Sequence, residues 1–214
     1  MATNNKSIIP ISQLIITITA WTALGLQLYI LINNTPGNGM TALQAVGRFL
    51  IFFTILTNLL VAISMTTILL SPTSKLGLFL AKPLSLTATA VYIFIVGLTY
   101  NIILRPLWAP RGIQKLADEL LHVAVPLLFV LYWFLFAPKH SLTWKNLPSW
   151  LVYPAVYLVY ALGRGATEGF YPYPFINVNE HGLAIVLLNS AGLMAVFILI
   201  SLLFIFIGRR LQKN

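Results

Sequence analysis

The sequence predicts an all-α polytopic membrane protein with six transmembrane helices, and three observations predict it. Of 214 residues, 59% are hydrophobic and 8% are charged, whereas soluble chains carry about 25% charged residues. The apolar residues fall into six runs, and crossing a bilayer takes about 20 mostly apolar residues. Clusters of Pro, Gly, Asn and Ser separate the runs, as turns require. The chain, 1–214, reads as a single domain.

The first helix is expected near 9–33. Its apolar run, Ile8 to Ile32, exceeds the 7–15 residues of a signal-peptide core, and no A-x-A site follows. It is therefore expected to be a retained helix. The turn Asn33-Asn34-Thr35-Pro36-Gly37-Asn38-Gly39 closes it. The second helix spans about 46–70 and ends at Ser71-Pro72-Thr73-Ser74. The third spans about 83–104, before Pro106 and Pro110. The fourth, about 117–137, ends at Pro138. The fifth, about 148–164, is short and tyrosine-rich and is followed by Tyr171-Pro172-Tyr173-Pro174. The sixth covers about 182–208.

Lysine and arginine set the expected orientation. With the N-terminus inside, eight basic residues fall on the inner side and five on the outer, which favours an N-in, C-in chain. All four acids, Asp118, Glu119, Glu168 and Glu180, fall on the outer side. The net charge of +9 is thus explained by inner loops at a membrane, with no nucleic-acid partner expected. A bacterial plasma membrane is the expected location. The chain has no cysteine, which removes disulfides, thiolate metal sites and cysteine nucleophiles. No cofactor and no metal are expected.

At a rise of about 1.5 Å per residue, Thr57, His122 and Asn189 lie roughly 7–14 Å below the outer ends of their helices. Gln27, Thr99, Tyr100, Asn101 and Tyr160 fall in or just above that layer. A polar pocket open to the outer side is the simplest reading. Asp118 and Glu119 precede His122 by four and three residues and share its helix face. Asp118 is placed to fix one ring nitrogen and leave the other free as a base. Pro126 cannot donate to the His122 carbonyl, so a kink is expected beside the histidine. The competing reading is a structural pairing of His122 with an acid.

Thr57 has a structural reading too, since membrane threonines bond back to the carbonyl four residues earlier. Asn58 beside it would orient a hydroxyl or donate to an oxyanion. Tyr153, Tyr157, Tyr160 and Arg164 form one stripe on the fifth helix, with Arg164 placed to pair with Glu168. A packing face and a ligand-contact face both fit that stripe. Arg48 is expected to reach the outer headgroups, with carboxylate binding as the minority alternative.

Phe53-x-x-x-Thr57-Asn58 on the second helix and His122-x-x-x-Pro126 on the fourth, within a six-helix plan, resemble the androgen-induced membrane protein family in its bacterial branch. Animal members are similar to intramembrane threonine hydrolases of fatty acid esters of hydroxy fatty acids. The resemblance implies Thr57 as nucleophile, His122 as its base, and a lipid or fatty ester as substrate. Asp118 and Asn58 would support the pair, and Gln27, Tyr100, Asn101, Tyr157, Tyr160, Arg164 and Asn189 would line the pocket. The alternative is a non-enzymatic binder or transporter of a lipid or small amphiphile. Bis-histidine haem ligation lacks a second membrane histidine. A zinc site lacks a ligand cluster. The rhomboid order of serine before histidine is reversed in this chain.

Overall fold

A computed structural model describes residues 2–34 and 41–211, with side chains from residue 8 onward. It is helical, with no strand among the described residues. The helices are α1 (Ala2–Asn33), α2 (Ala42–Phe49), α3 (Phe53–Leu70), α4 (Lys75–Leu80), α5 (Pro83–Thr99), α6 (Gly112–Glu119), α7 (Val125–Phe136), α8 (Leu147–Glu168) and α9 (Val178–Leu211). Two π-helical turns extend this plan: Tyr100–Leu104 continues α5, and Leu120–Ala124 joins α6 to α7.

Five stretches are long and apolar enough to cross a membrane: Ile8–Asn33, Phe53–Leu70, Pro83–Leu107, Gly112–Phe136 and Val178–Leu211. The chain is thus compatible with a multi-pass integral membrane protein. The expected fifth span, 148–164, is a 22-residue helix, α8, but it is not among the five. Four glycines and prolines, three tyrosines, Arg164 and Glu168 dilute its apolar character. The expected turn at 33–39 falls mostly outside the described residues.

The second helix departs from the expected continuous run over 46–70. It breaks at Leu50–Phe52 into α2 and α3. Thr41 begins α2 with a capping box, its hydroxyl accepting from the Gln44 N–H at 3.2 Å and Gln44 reaching back to the Thr41 N–H at 2.8 Å. A helix break in an apolar setting strands backbone carbonyls, and each needs a donor. The stripe on α8 supplies them. Arg164 donates to the Gly47 carbonyl at 2.6 Å, Tyr160 to Leu50 at 3.4 Å and Tyr157 to Ile51 at 3.0 Å. Three residues of the stripe thus pack on the broken helix and complete it.

α1 packs on α3, and residues fully buried on the two helices include the small Ala20 and Ala23 on α1 and Ala62 on α3, which suit close approach. Polar side chains tie other helices together across the core. Gln13 donates to the Tyr132 hydroxyl at 2.8 Å and Trp133 to Thr87 at 2.9 Å. At the end of α9, Arg209 lies over the Trp144 ring at 5.6 Å, which places the loop before α8 beside the C-terminal turn. The sixth expected segment, 182–208, is longer than read, running Val178–Leu211 with a break at Gly182. That glycine has φ 74°, a conformation side chains disfavour.

Candidate functional site

Pro126 shapes the site. It has no N–H, so it leaves one carbonyl undonated in π spacing, Leu121, and one in α spacing, His122. Two asparagines from neighbouring helices repair this. Asn58 on α3 donates to Leu121 at 3.3 Å and to Thr54 at 2.8 Å. Asn101 after α5 donates to His122 at 3.4 Å and to Gly97 at 2.8 Å. The expected distortion beside His122 is present as the π turn Leu120–Ala124. Asn58 has its amide nitrogen committed to backbone, which corrects its reading as an oxyanion donor. Its Oδ1 has no partner among the described residues.

The π turn presents the His122 ring to Asp118 and Tyr100. Its Nδ1 lies 2.9 Å from the Asp118 carbonyl oxygen and 3.3 Å from the Asp118 carboxylate. Tyr100 donates its phenolic hydrogen to the other Asp118 carboxylate oxygen. The Tyr100 ring stacks on the imidazole, with centroids 3.9 Å apart and planes 12° apart. The close approach is possible because Gly97 packs against this turn: a Cβ there would sit 3.2 Å from the His122 carbonyl oxygen. With Nδ1 facing oxygen acceptors, the neutral ring carries its proton on Nδ1, and Nε2 is the basic nitrogen. Nε2 has no hydrogen bond among the described residues.

His122, Asp118 and Tyr100 line a cleft of about 450 Å³, with Gln27, Arg48, Thr54, Trp108, Gln114 and Tyr173 also on its wall. Gln114 donates to Gln27 at 2.9 Å and so joins α6 to α1 across it. A second, apolar cavity of about 60 Å³ adjoins, lined by Phe53, Ile95, Leu158, Met194 and Phe197 among others. Thr54, Tyr100, Leu104 and Tyr173 belong to both walls.

The expected polar layer is thus assembled in part. Gln27, Tyr100, Asp118 and His122 meet at the cleft, and Tyr157 lines the apolar cavity. Asn101, Tyr160 and Arg164 line neither cavity, because broken or distorted helix turns claim their donors. Asn189 likewise lies outside both and donates to the Phe175 carbonyl at 3.0 Å.

Thr57 and His122 share neither a hydrogen bond nor a cavity wall among the described residues. Thr57 is fully buried, and its hydroxyl pairs with Tyr153 at 3.2 Å. The threonine that shares the cleft with His122 is Thr54, one turn earlier and passed over in the sequence. It sits in the first turn of α3, whose start, Phe52, has no side-chain cap. That end of the helix carries N–H groups without intrahelical partners and the positive end of the helix dipole. The Thr54 N–H donates to the Tyr173 hydroxyl at 3.2 Å, and its own hydroxyl lies 3.4 Å from the same oxygen. Desolvation raises the Tyr173 pKa above the ordinary phenol value, which keeps it protonated and able to donate.

Each acid has a partner. Glu119 takes both arms of Arg105 at 2.8 Å, Glu168 pairs with Arg164 at 2.6 Å, and Glu180 accepts from Asn177 at 2.7 Å. No protein-family model, no curated protein and no solved structure matches the chain.

Proposed function

We propose that this protein hydrolyses lipid esters in the cleft, with His122 as general base and Thr54 as nucleophile. The observation that carries the reading is one wall holding both Thr54 and a histidine whose Nδ1 is fixed by Asp118. In the first half-reaction Thr54 Oγ1 bonds to the ester carbonyl carbon while its proton passes to His122 Nε2. That proton then goes to the departing alkoxide, which leaves as the alcohol. Water repeats the sequence on the acyl-threonine, releasing the acid and restoring the hydroxyl. The Tyr173 hydroxyl, 3.4 Å from Thr54 Oγ1, is a donor placed for the oxyanion. The apolar cavity beside Thr54 suits the first carbons of an acyl chain. Thr54 thus takes the role that the family resemblance gave to Thr57.

The test is turnover of fluorogenic fatty esters by purified protein in detergent, with fluorophosphonate labelling alongside. Thr54→Ala is expected to abolish labelling and lower turnover at least about 10²-fold, and Thr57→Ala to retain both. Loss in Thr57→Ala with full activity in Thr54→Ala would reverse the assignment. A second reading is a non-enzymatic amphiphile binder, favoured by the engagement of the Thr54 N–H and hydroxyl with Tyr173. Binding of fatty esters with no turnover in the intact protein would select it.

The proposal includes six spans, N-in and C-in, in a bacterial plasma membrane. In support, the loop before α8 lies beside the C-terminal turn of α9 through Trp144 and Arg209, and α8 ends beside α2 through Arg164. Because the chain lacks cysteine, single cysteines report sidedness directly. In intact cells Lys115→Cys is expected to react with a membrane-impermeant thiol reagent and Lys145→Cys only after lysis. Labelling of both before lysis would refute the arrangement.

A further inference from the structure

Two arginines near the cleft end of the bundle, Arg105 and Arg164, are neutralised by carboxylates. Arg105 is held by Glu119 and Arg164 by Glu168, each through two-armed contacts. Arg48 differs. It lines the cleft, and it has no carboxylate partner among the described residues. The carboxylate that shares its wall, Asp118, is occupied by Tyr100 and His122. The Arg48 guanidinium centre lies 3.8 Å above the Phe170 ring. Such stacking fixes the plane of the guanidinium and leaves its N–H edge free to donate.

We propose that Arg48 is the specificity-determining residue of the cleft and holds the anionic group of a single-chain amphiphile, a carboxylate or a phosphate. This rests on the cleft being the amphiphile site, as in the reading above. A planar fork of donors matches the paired oxygens of either anion. A cation on a largely apolar wall attracts an anion more strongly than the same cation in water, because fewer solvent dipoles screen it. The walls assign the rest of the ligand. The chain follows the apolar residues toward Tyr100 and Leu104, which open onto the second cavity. The bond to be cleaved then lies between the anion and the end of the chain, beside Thr54. The competing role for Arg48 is structural: it stands in the last turn of α2, where a cation favours the helix dipole.

The test uses three ligands with one chain and three headgroups, none a carboxylic ester: oleate, oleyl phosphate and oleyl alcohol. Their affinities for purified full-length protein are read from tryptophan fluorescence, since Trp108 lines the cleft. At least one anion is expected to bind more tightly than the alcohol. Arg48→Gln is expected to weaken that anion about tenfold and to leave the alcohol within about twofold. Arg48→Lys is expected to lie between, keeping the charge without the fork. Tighter binding of oleate or of oleyl phosphate identifies the natural anion as carboxylate or phosphate. Equal weakening of all three ligands, as from a structural fault in α2, would overturn the proposal, as would unchanged anion binding in Arg48→Gln or equal affinities in the unaltered protein. None of these ligands is turned over as an ester, so the outcome stands apart from the Thr54 and His122 experiments.

Discussion

His122→Ala is expected to lower fatty-ester turnover by about 10²–10⁴-fold, the contribution of a positioned general base. Its fold should survive, because the side chain is partly exposed to the cleft and its ring contacts are the stack with Tyr100 and the Nδ1 contacts with Asp118 one turn earlier. Asp118→Asn offers a sharper test of how the base is held. In a serine triad the same change is severe because it admits the wrong tautomer. Here the nearer acceptor of Nδ1–H is the Asp118 backbone carbonyl at 2.9 Å, with the carboxylate at 3.3 Å. The backbone bond persists in the amide variant, so Asp118→Asn is expected to lose less than His122→Ala. Initial rates with a fluorogenic ester measure both. Equal losses would place the tautomer under the carboxylate instead, and full activity in His122→Ala would end the hydrolase reading.

Gly97→Val is expected to damage fold and site together. A Cβ at that position meets the His122 carbonyl oxygen and the Pro126 Cβ, each at 3.2 Å. One contact is backbone and the other a rigid ring, so neither yields by rotating a side chain. The two further methyl groups of valine overpack the junction, at a cost of about 1–3 kcal/mol. The strain falls on the turn that carries His122. The thermal unfolding midpoint in detergent and the ester turnover are therefore expected to fall together, with Gly97→Ala milder on both. A valine variant with both quantities unchanged would show that α5 and the π turn separate freely.

Several parts of the site were legible because local spacing carries them. The Asp118–His122 relation follows from a helical period, and the distortion at Pro126 follows from a missing N–H. The Arg164–Glu168 pair follows from the same period and is present at 2.6 Å. Thr57 and Thr54 could not be ranked in this way. They stand three residues apart on one helix, and depth estimates carry an uncertainty of a turn. Rotation of α3 about its axis decides which hydroxyl meets the cleft, and that rotation is set by packing against α1 and α8. It turns Thr57 to Tyr153 and Thr54 to Tyr173.

The break at Leu50–Phe52 was illegible for a related reason. Gly47 through Phe53 contains no proline and reads as part of one continuous helix. What makes the break tolerable lies more than 100 residues away, in the donors of Tyr157, Tyr160 and Arg164. The sequence by itself determined a helical chain with segments long and apolar enough to cross a membrane, their main positions, and the local His122–Asp118 geometry. These depend on apolar run length and on contacts three or four residues apart. Tertiary structure decided which threonine shares a wall with His122, that Arg48 lines the cleft without a carboxylate partner, and which polar groups serve backbone instead of ligand. Those depend on donors and acceptors meeting across helices, and no spacing along one chain segment encodes such a meeting.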